Sequence, residues 1–206
     1  MEKMNLCWDR FDNVKSAEQI LKNNGLIAGA SDTVPGFLAP LTQEGFDKLN
    51  RAKDRSEKPY LVLVADSNKA KQFTTATLAP EIATLMELYW PGPLTLILPS
   101  RKGLPSFLMS KTGSIALRVP KHSGLLQLLK QFDGLFSTSA NKTTMPVPQS
   151  VKEIDPSIKQ HVEAIITDVR EKDNEDIKPS TILDCTGESI KVLRQGACSP
   201  KLPKKG

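Results

Sequence analysis

Apolar residues recur along this chain with two periods, and each change of period marks a new element. Val14, Ala17, Ile20 and Leu21 follow Asn13 at helical spacing, and Gly25 sits where a helix C-terminal glycine belongs. A helix over Val14–Asn23 is predicted. Leu26–Ala30 then reads as a short buried strand. Thr42 can cap a helix carrying Phe46, Leu49 and Ala52, and the Val/Leu-rich run Tyr60–Ala65 reads as a second buried strand. Ile82, Leu85, Met86 and Tyr89 share one face of a helix from about Ala79 to Tyr89, which Pro91 ends. Further strands are predicted at Leu94–Leu98, Ser114–Val119, Leu135–Ser137, Ala164–Thr167, Thr181–Asp184 and Lys191–Leu193, with a helix at Gly124–Phe132 between two of them. Strands interleaved with helices imply an α/β chain of α+β type: a twisted mixed β-sheet with helices packed on it. The charged stretch Glu171–Lys178 reads as an exposed loop. No linker interrupts the pattern, so residues 1–198 are expected to form a single domain, followed by a basic tail over 199–206.

Composition narrows the class. Hydrophobic residues make up 39% of the 206 and charged residues 25%, enough for a core of ordinary size. The apolar run Leu61–Ala65 falls far short of the roughly 20 residues of a membrane helix. Residues 1–11 carry no apolar segment of the kind a secretory leader needs, so a cytoplasmic protein without membrane contact is expected. Cys7, Cys185 and Cys198 are too scattered for a disulfide framework, and two histidines are too few for a zinc cluster. Net charge is +5, and Lys191, Arg194, Lys201, Lys204 and Lys205 supply five cations within an acid-free C-terminal stretch. Taking those from the 28 leaves 23 cations against 23 acids in residues 1–190. The basic character belongs to the tail, which suits either a solvated terminus or sequence-blind contact with RNA phosphates.

Most of the polar residues of interest fall at strand ends, where sheets of this kind place ligands. Ser31-Asp32-Thr33 precedes Pro35-Gly36 and offers hydroxyls on a turn; an ordinary Ser/Thr turn is the other reading. Lys53, Arg55 and Lys58 lie within six residues. If that segment is extended, Lys53 and Arg55 face the same way and suit a polyphosphate; a solvated charged loop is the alternative. Trp90-Pro91-Gly92-Pro93-Leu94-Thr95 makes a rigid turn, read as architectural. Ser137-Thr138-Ser139-Ala140-Asn141 gathers small polar side chains after an apolar strand. Arg118 shares a strand face with Ser114, opposite Ile115 and Leu117, and needs an anionic partner. Pro179-Ser180-Thr181 and Arg194 complete the set. His122 and His161 read as structural or surface histidines, and Walker, GxGxxG, GxSxG and HExxH patterns are absent.

In this order the segments resemble the YrdC-like family of threonylcarbamoyl-AMP synthases. The matches are Asp32-Thr33-Val34 with Gly36, the KxR pair Lys53 and Arg55 with Lys58-Pro59, Trp90–Thr95, Arg118-Val119-Pro120, the SxN triplet Ser139–Asn141, Ser180-Thr181-Ile182, and Leu193-Arg194 with Gly196. The resemblance implies the YrdC/RibB-like fold with a concave cationic cavity, in the short form without a further C-terminal domain. It also implies a reaction of L-threonine, bicarbonate and ATP, with Mg²⁺, that yields threonylcarbamoyl-AMP and pyrophosphate for tRNA modification. By the same resemblance Lys53 and Arg55 are catalytic, neutralising phosphate charge. Thr33, Arg118 and Ser137 hold threonine and bicarbonate, with Arg118 on the carboxylate. Arg55, Lys58, Ser114, Ser139, Asn141 and Arg194 lie along ATP, and no side chain is assigned to a metal. Implied partners are tRNA or double-stranded RNA and a downstream threonylcarbamoyl-transferase complex.

The chain departs from the family pattern at two places. Pro35 stands where a tyrosine is usual, and Thr143-Thr144 with Pro146-Val147 replace Ser-Gly and Pro-Ser, so an altered cavity wall is expected. Two other readings stay open: a non-catalytic or weakly catalytic RNA- or nucleotide-binding relative, and a carbamoyl-adenylate enzyme acting on another amine.

Overall fold

A computed structural model describes residues 4–55, 59–75, 78–169 and 177–202. The Lys58 assignment, most of the stretch Glu171–Lys178, and the tail lysines Lys204 and Lys205 lie outside the described residues.

Among the described residues ten strands form one sheet: β1 (Met4–Cys7), β2 (Ile27–Gly29), β3 (Gly36–Pro40), β4 (Leu61–Leu63), β5 (Leu94–Pro99), β6 (Ser114–Arg118), β7 (Leu135–Ser139), β8 (Ala164–Thr167), β9 (Thr181–Asp184) and β10 (Lys191–Arg194). Their order is β1-β8-β2-β3-β7-β4-β6-β5-β9-β10. The β1/β8, β8/β2, β4/β6 and β5/β9 pairs are parallel and the rest antiparallel, which makes the sheet mixed as expected. Among the described residues no helix is long and apolar enough to cross a membrane.

The four predicted helices form with shifted ends, and short helices at Ser67–Lys71 and Pro156–Lys159 are additional. α1 (Phe11–Lys22) begins three residues before the predicted Val14, with Arg10 at the N-cap making no side-chain cap bond. It is held instead by burial of Val14, Ala17 and Leu21 against the sheet, which outweighs the missing cap. α2 (Gln43–Lys53) is capped as predicted: Gly45 N–H donates to Thr42 Oγ1 at 3.0 Å. α3 (Ser67–Lys71) is a short helix capped by Asp66, and α4 (Pro80–Tyr89) buries Ile82, Leu85 and Met86. α5 (Ser123–Leu129) starts on His122, whose Nδ1 accepts from Leu125 N–H at 3.2 Å while Nε2 lies 2.6 Å from the Asp168 carboxylate. Nε2 makes no aligned hydrogen bond, so its approach to Asp168 is a close contact only. His122 is structural, as its sequence context suggests.

Two-residue alternation divides the central strands into two layers. Phe37, Phe136, Val62, Ile115, Leu117 and Leu96 are buried in the core, where Phe136 packs edge-on against Tyr60 and Phe107. Their neighbours in sequence, including Ser137, Ser139, Ser114, Ala116 and Arg118, face a cavity on the other side.

Candidate active site

The cavity holds about 380 Å³, within the usual range for small-molecule sites. It sits over the middle of the sheet because β3, β7, β4 and β6 are adjacent there. Gly36 lies opposite Ser139, Leu38 and Leu61 both lie opposite Ser137, and Leu63 lies opposite Arg118. The β2–β3 connection carries Ser31, Asp32 and Thr33 across one end. Pro179, Ser180 and Arg194 also line the cavity. Arg55, Arg118 and Arg194 face a single carboxylate, Asp32, among the described charged lining residues, so the cavity favours an anionic ligand.

Arg118 is 4% exposed and held on several sides. Nε donates to Gly92 O at 3.0 Å and Nη1 to Thr33 Oγ1 at 3.0 Å, and Nη2 lies 2.5 Å from Asp32 Oδ1. The anionic partner that a buried strand arginine requires is therefore inside the chain. The Trp90–Pro93 turn supplies more than architecture, since it presents the Gly92 carbonyl to this guanidinium. Asp32 Oδ2 accepts from Lys121 N–H at 2.8 Å. Asp32 Oδ1 and Arg118 Nη2 meet hydrogen-bond geometry with no partner, so their contact is a close charge pair rather than an aligned hydrogen bond.

Lys53 and Arg55 do not share an extended face. Lys53 is the last residue of α2 and Asp54 takes the left-handed conformation (φ 48°), which turns the two cations apart. Lys53 is buried, and its Nζ donates to Ser139 O at 2.8 Å and Asn141 Oδ1 at 3.0 Å. Burial first, then the Arg55 charge, pulls its ammonium down to about 8. Arg55 enters the cavity wall with its guanidinium 4.9 Å from the Tyr60 ring centroid. Its Nε is buried without a hydrogen-bond partner, which leaves a donor unspent.

The remaining predicted residues divide in two. Thr33, Ser114, Ser137, Ser139 and Arg194 line the cavity. Asn141 lies behind it, donating to Met145 O at 2.6 Å and accepting from Ser139 Oγ at 2.6 Å, so the SxN triplet and Lys53 form one buried brace. Arg194 donates to Ser180 O through Nε (3.1 Å) and Nη2 (2.9 Å), and Ser180 Oγ pairs with Thr95 Oγ1 at 2.8 Å. Burial, then the Arg118 charge, lowers the Arg194 pKa. Gly196 permits this close: a Cβ there would stand 2.1 Å from Pro179 O. Pro35 is buried but is not in the cavity wall, where Val34 and Gly36 flank it. Pro35 O instead accepts from Ala140 N–H at 2.9 Å, so this position puts no side chain on the cavity wall. Val147 does line the cavity, giving an apolar surface where a hydroxyl was expected. The sequence assigns no role to Asp32 or to Tyr60, both of which line the cavity. Acidity beside Thr33 was the available signal for the first, and a Tyr following the KxR segment for the second.

A family model described as telomere recombination, for Sua5, YciO and YrdC proteins, matches residues 19–196. The chain is 31% identical over 193 residues to the threonylcarbamoyl-AMP synthase of Photobacterium profundum, covering 90% of this chain and 100% of that one. The fold superposes on P. abyssi Sua5 complexed with L-threonine at TM-score 0.84 and 24% identity, covering 95% of this chain. This chain spans 58% of that protein's length. E. coli YciO superposes at TM-score 0.81 and 20% identity over 96% of this chain and 95% of its own.

Proposed function

Given that the chain belongs to the Sua5, YciO and YrdC family, we propose that it is a threonylcarbamoyl-AMP synthase, joining L-threonine, bicarbonate and ATP with release of pyrophosphate. The observation that carries this reading is the set Arg55, Arg118 and Arg194 around one hydroxyl-lined cavity. The amine of threonine condenses with bicarbonate to a carbamate, releasing water. A carbamate oxygen then attacks the α-phosphorus and pyrophosphate leaves. Such displacement depends on positioning and on neutralising phosphate charge more than on a strong base.

Arg55 has an unspent buried donor for a phosphate oxygen, and Arg194 offers a second cation on the cavity wall. Ser110 Oγ and Ser114 Oγ, 2.8 Å apart, supply neutral hydroxyls on the same wall. Lys53 acts by bracing the Ser139 carbonyl and the Asn141 side chain beneath the nucleotide. Thr33, Ser137 and Arg118 take the amino acid. Mg²⁺ would enter with ATP and offset phosphate charge. The product would supply a threonylcarbamoyl-transferase complex acting on tRNA in the cytoplasm, with exposed Lys201 available to RNA phosphates.

The test is to incubate the chain with ATP, bicarbonate and single amino acids. Pyrophosphate and threonylcarbamoyl-AMP should form only with L-threonine and bicarbonate together. Pyrophosphate release that needs neither, or equal turnover with another amine, overturns the assignment.

A further inference from the structure

The Asp32–Arg118 pair bears on how the amino acid is chosen, an inference that rests on the reading above. Arg118 is assigned to the substrate carboxylate, yet its Nη2 already faces a carboxylate belonging to the chain. Both side chains line the cavity and are about nine-tenths or more buried, at 5% exposed for Arg118 and 10% for Asp32. Their facing atoms make no aligned hydrogen bond with any group. The pair is thus neutral, close and incompletely satisfied at the point where the ligand must dock.

Charge balance decides what can open it. A simple carboxylate that takes Arg118 would leave Asp32 buried and unpaired, and an uncompensated buried charge is strongly unfavourable. A simple amine that takes Asp32 would strand Arg118 in the same way. A zwitterion does neither: its carboxylate replaces Asp32 on the guanidinium while its ammonium replaces the guanidinium on Asp32. One ion pair becomes two, and net charge is unchanged. Neighbouring contacts limit how far the pair can part. Gly92 O and Thr33 Oγ1 hold Arg118, and Lys121 N–H holds Asp32 Oδ2, so each side chain has anchors besides the pair itself.

We propose that Asp32 is a specificity-determining residue, which makes the cavity admit a zwitterionic α-amino acid and refuse both the matching carboxylate and the matching amine. It guards Arg118 until an α-ammonium arrives to take the guanidinium's place.

The experiment is calorimetric binding to the full chain in the presence of ATP, using L-threonine, 3-hydroxybutanoate (no amine) and threoninol (no carboxylate). Wild type should prefer L-threonine over each analogue by about 100-fold or more, the scale set by one unpaired buried charge. This arm needs no variant, and 3-hydroxybutanoate binding within about threefold of threonine overturns the proposal. In Asp32→Asn, threonine should weaken at least ~10-fold while 3-hydroxybutanoate tightens, bringing their ratio below ~10. Asp32→Glu should restore most of the discrimination. If threonine binds wild type and Asp32→Asn keeps the full ratio, the proposal falls and the functional reading stands. If wild type binds no threonine at all, both fall.

Discussion

Replacing Lys53 by methionine should change stability in a way that reverses with pH. Lys53 is 3% exposed, and its ammonium is drawn from 10.5 down to about 8 chiefly by burial, with Arg55 adding repulsion. A lowered pKa means the folded state binds its proton less tightly than the unfolded state. The charged lysine therefore destabilises the fold below about pH 8, and that penalty fades as pH rises toward 10.5. The difference of about 2.5 pH units corresponds to roughly 3 kcal/mol at pH 7 as an upper figure. Methionine keeps the apolar stem and removes the charge. It also removes the donor to Ser139 O and Asn141 Oδ1, although Asn141 Oδ1 still accepts from Ser139 Oγ. Losing that donor costs about 1–2 kcal/mol, independent of pH. Lys53→Met should thus equal or exceed wild type at pH 7 by about 1–2 kcal/mol and fall below it by a similar amount at pH 10.5. Urea unfolding of both proteins at pH 7, 9 and 10.5 measures the difference, in which the other lysines cancel. A difference constant to within about 0.5 kcal/mol would show that the buried ammonium is not under strain and refute the reasoning.

Arg55→Ala should lower turnover by about 30- to 1,000-fold, the effect of removing about 2–4 kcal/mol of charge stabilisation, with little change in melting temperature because its stacking on Tyr60 is worth about 1 kcal/mol. Wild-type pyrophosphate release in that variant rules out the role. Ser137 is left to read the threonine hydroxyl because Thr33 Oγ1 is engaged by Arg118 and lies 3.2 Å from Ser31 Oγ. Valine should therefore be a substrate worse than threonine by about 100-fold in wild type, and Ser137→Ala should cut that ratio to about 10 or less in competing-substrate assays. An unchanged ratio places hydroxyl recognition elsewhere.

Local chemistry decided the elements whose cause is local. Thr42 caps α2 because its side chain reaches a backbone N–H three residues on, and Ala164–Thr167 and Thr181–Asp184 are strands over the predicted residues because short branched runs between polar breaks fit a pleated, buried surface. Order and spacing of KxR, WPGPLT and SxN likewise carried the family, since each is a contiguous pattern. Elements whose cause is distant were hidden. β3 contains Gly36 and ends on Pro40, a composition that reads as turn, and becomes a strand because β2 and β7 offer partners on both sides. β1 exists because β8 lies beside it. The site divides the same way. Which residue types would serve an anionic cavity was written in the chain, but not how they are spent. One left-handed residue, Asp54, turns Lys53 to the end of β7, 86 residues away, and leaves Arg55 in the cavity wall. Asp32 and Arg118 meet because the β2–β3 turn crosses the end of β6, and that charge pair, like every contact set by sheet order, arises only when the strands are assembled.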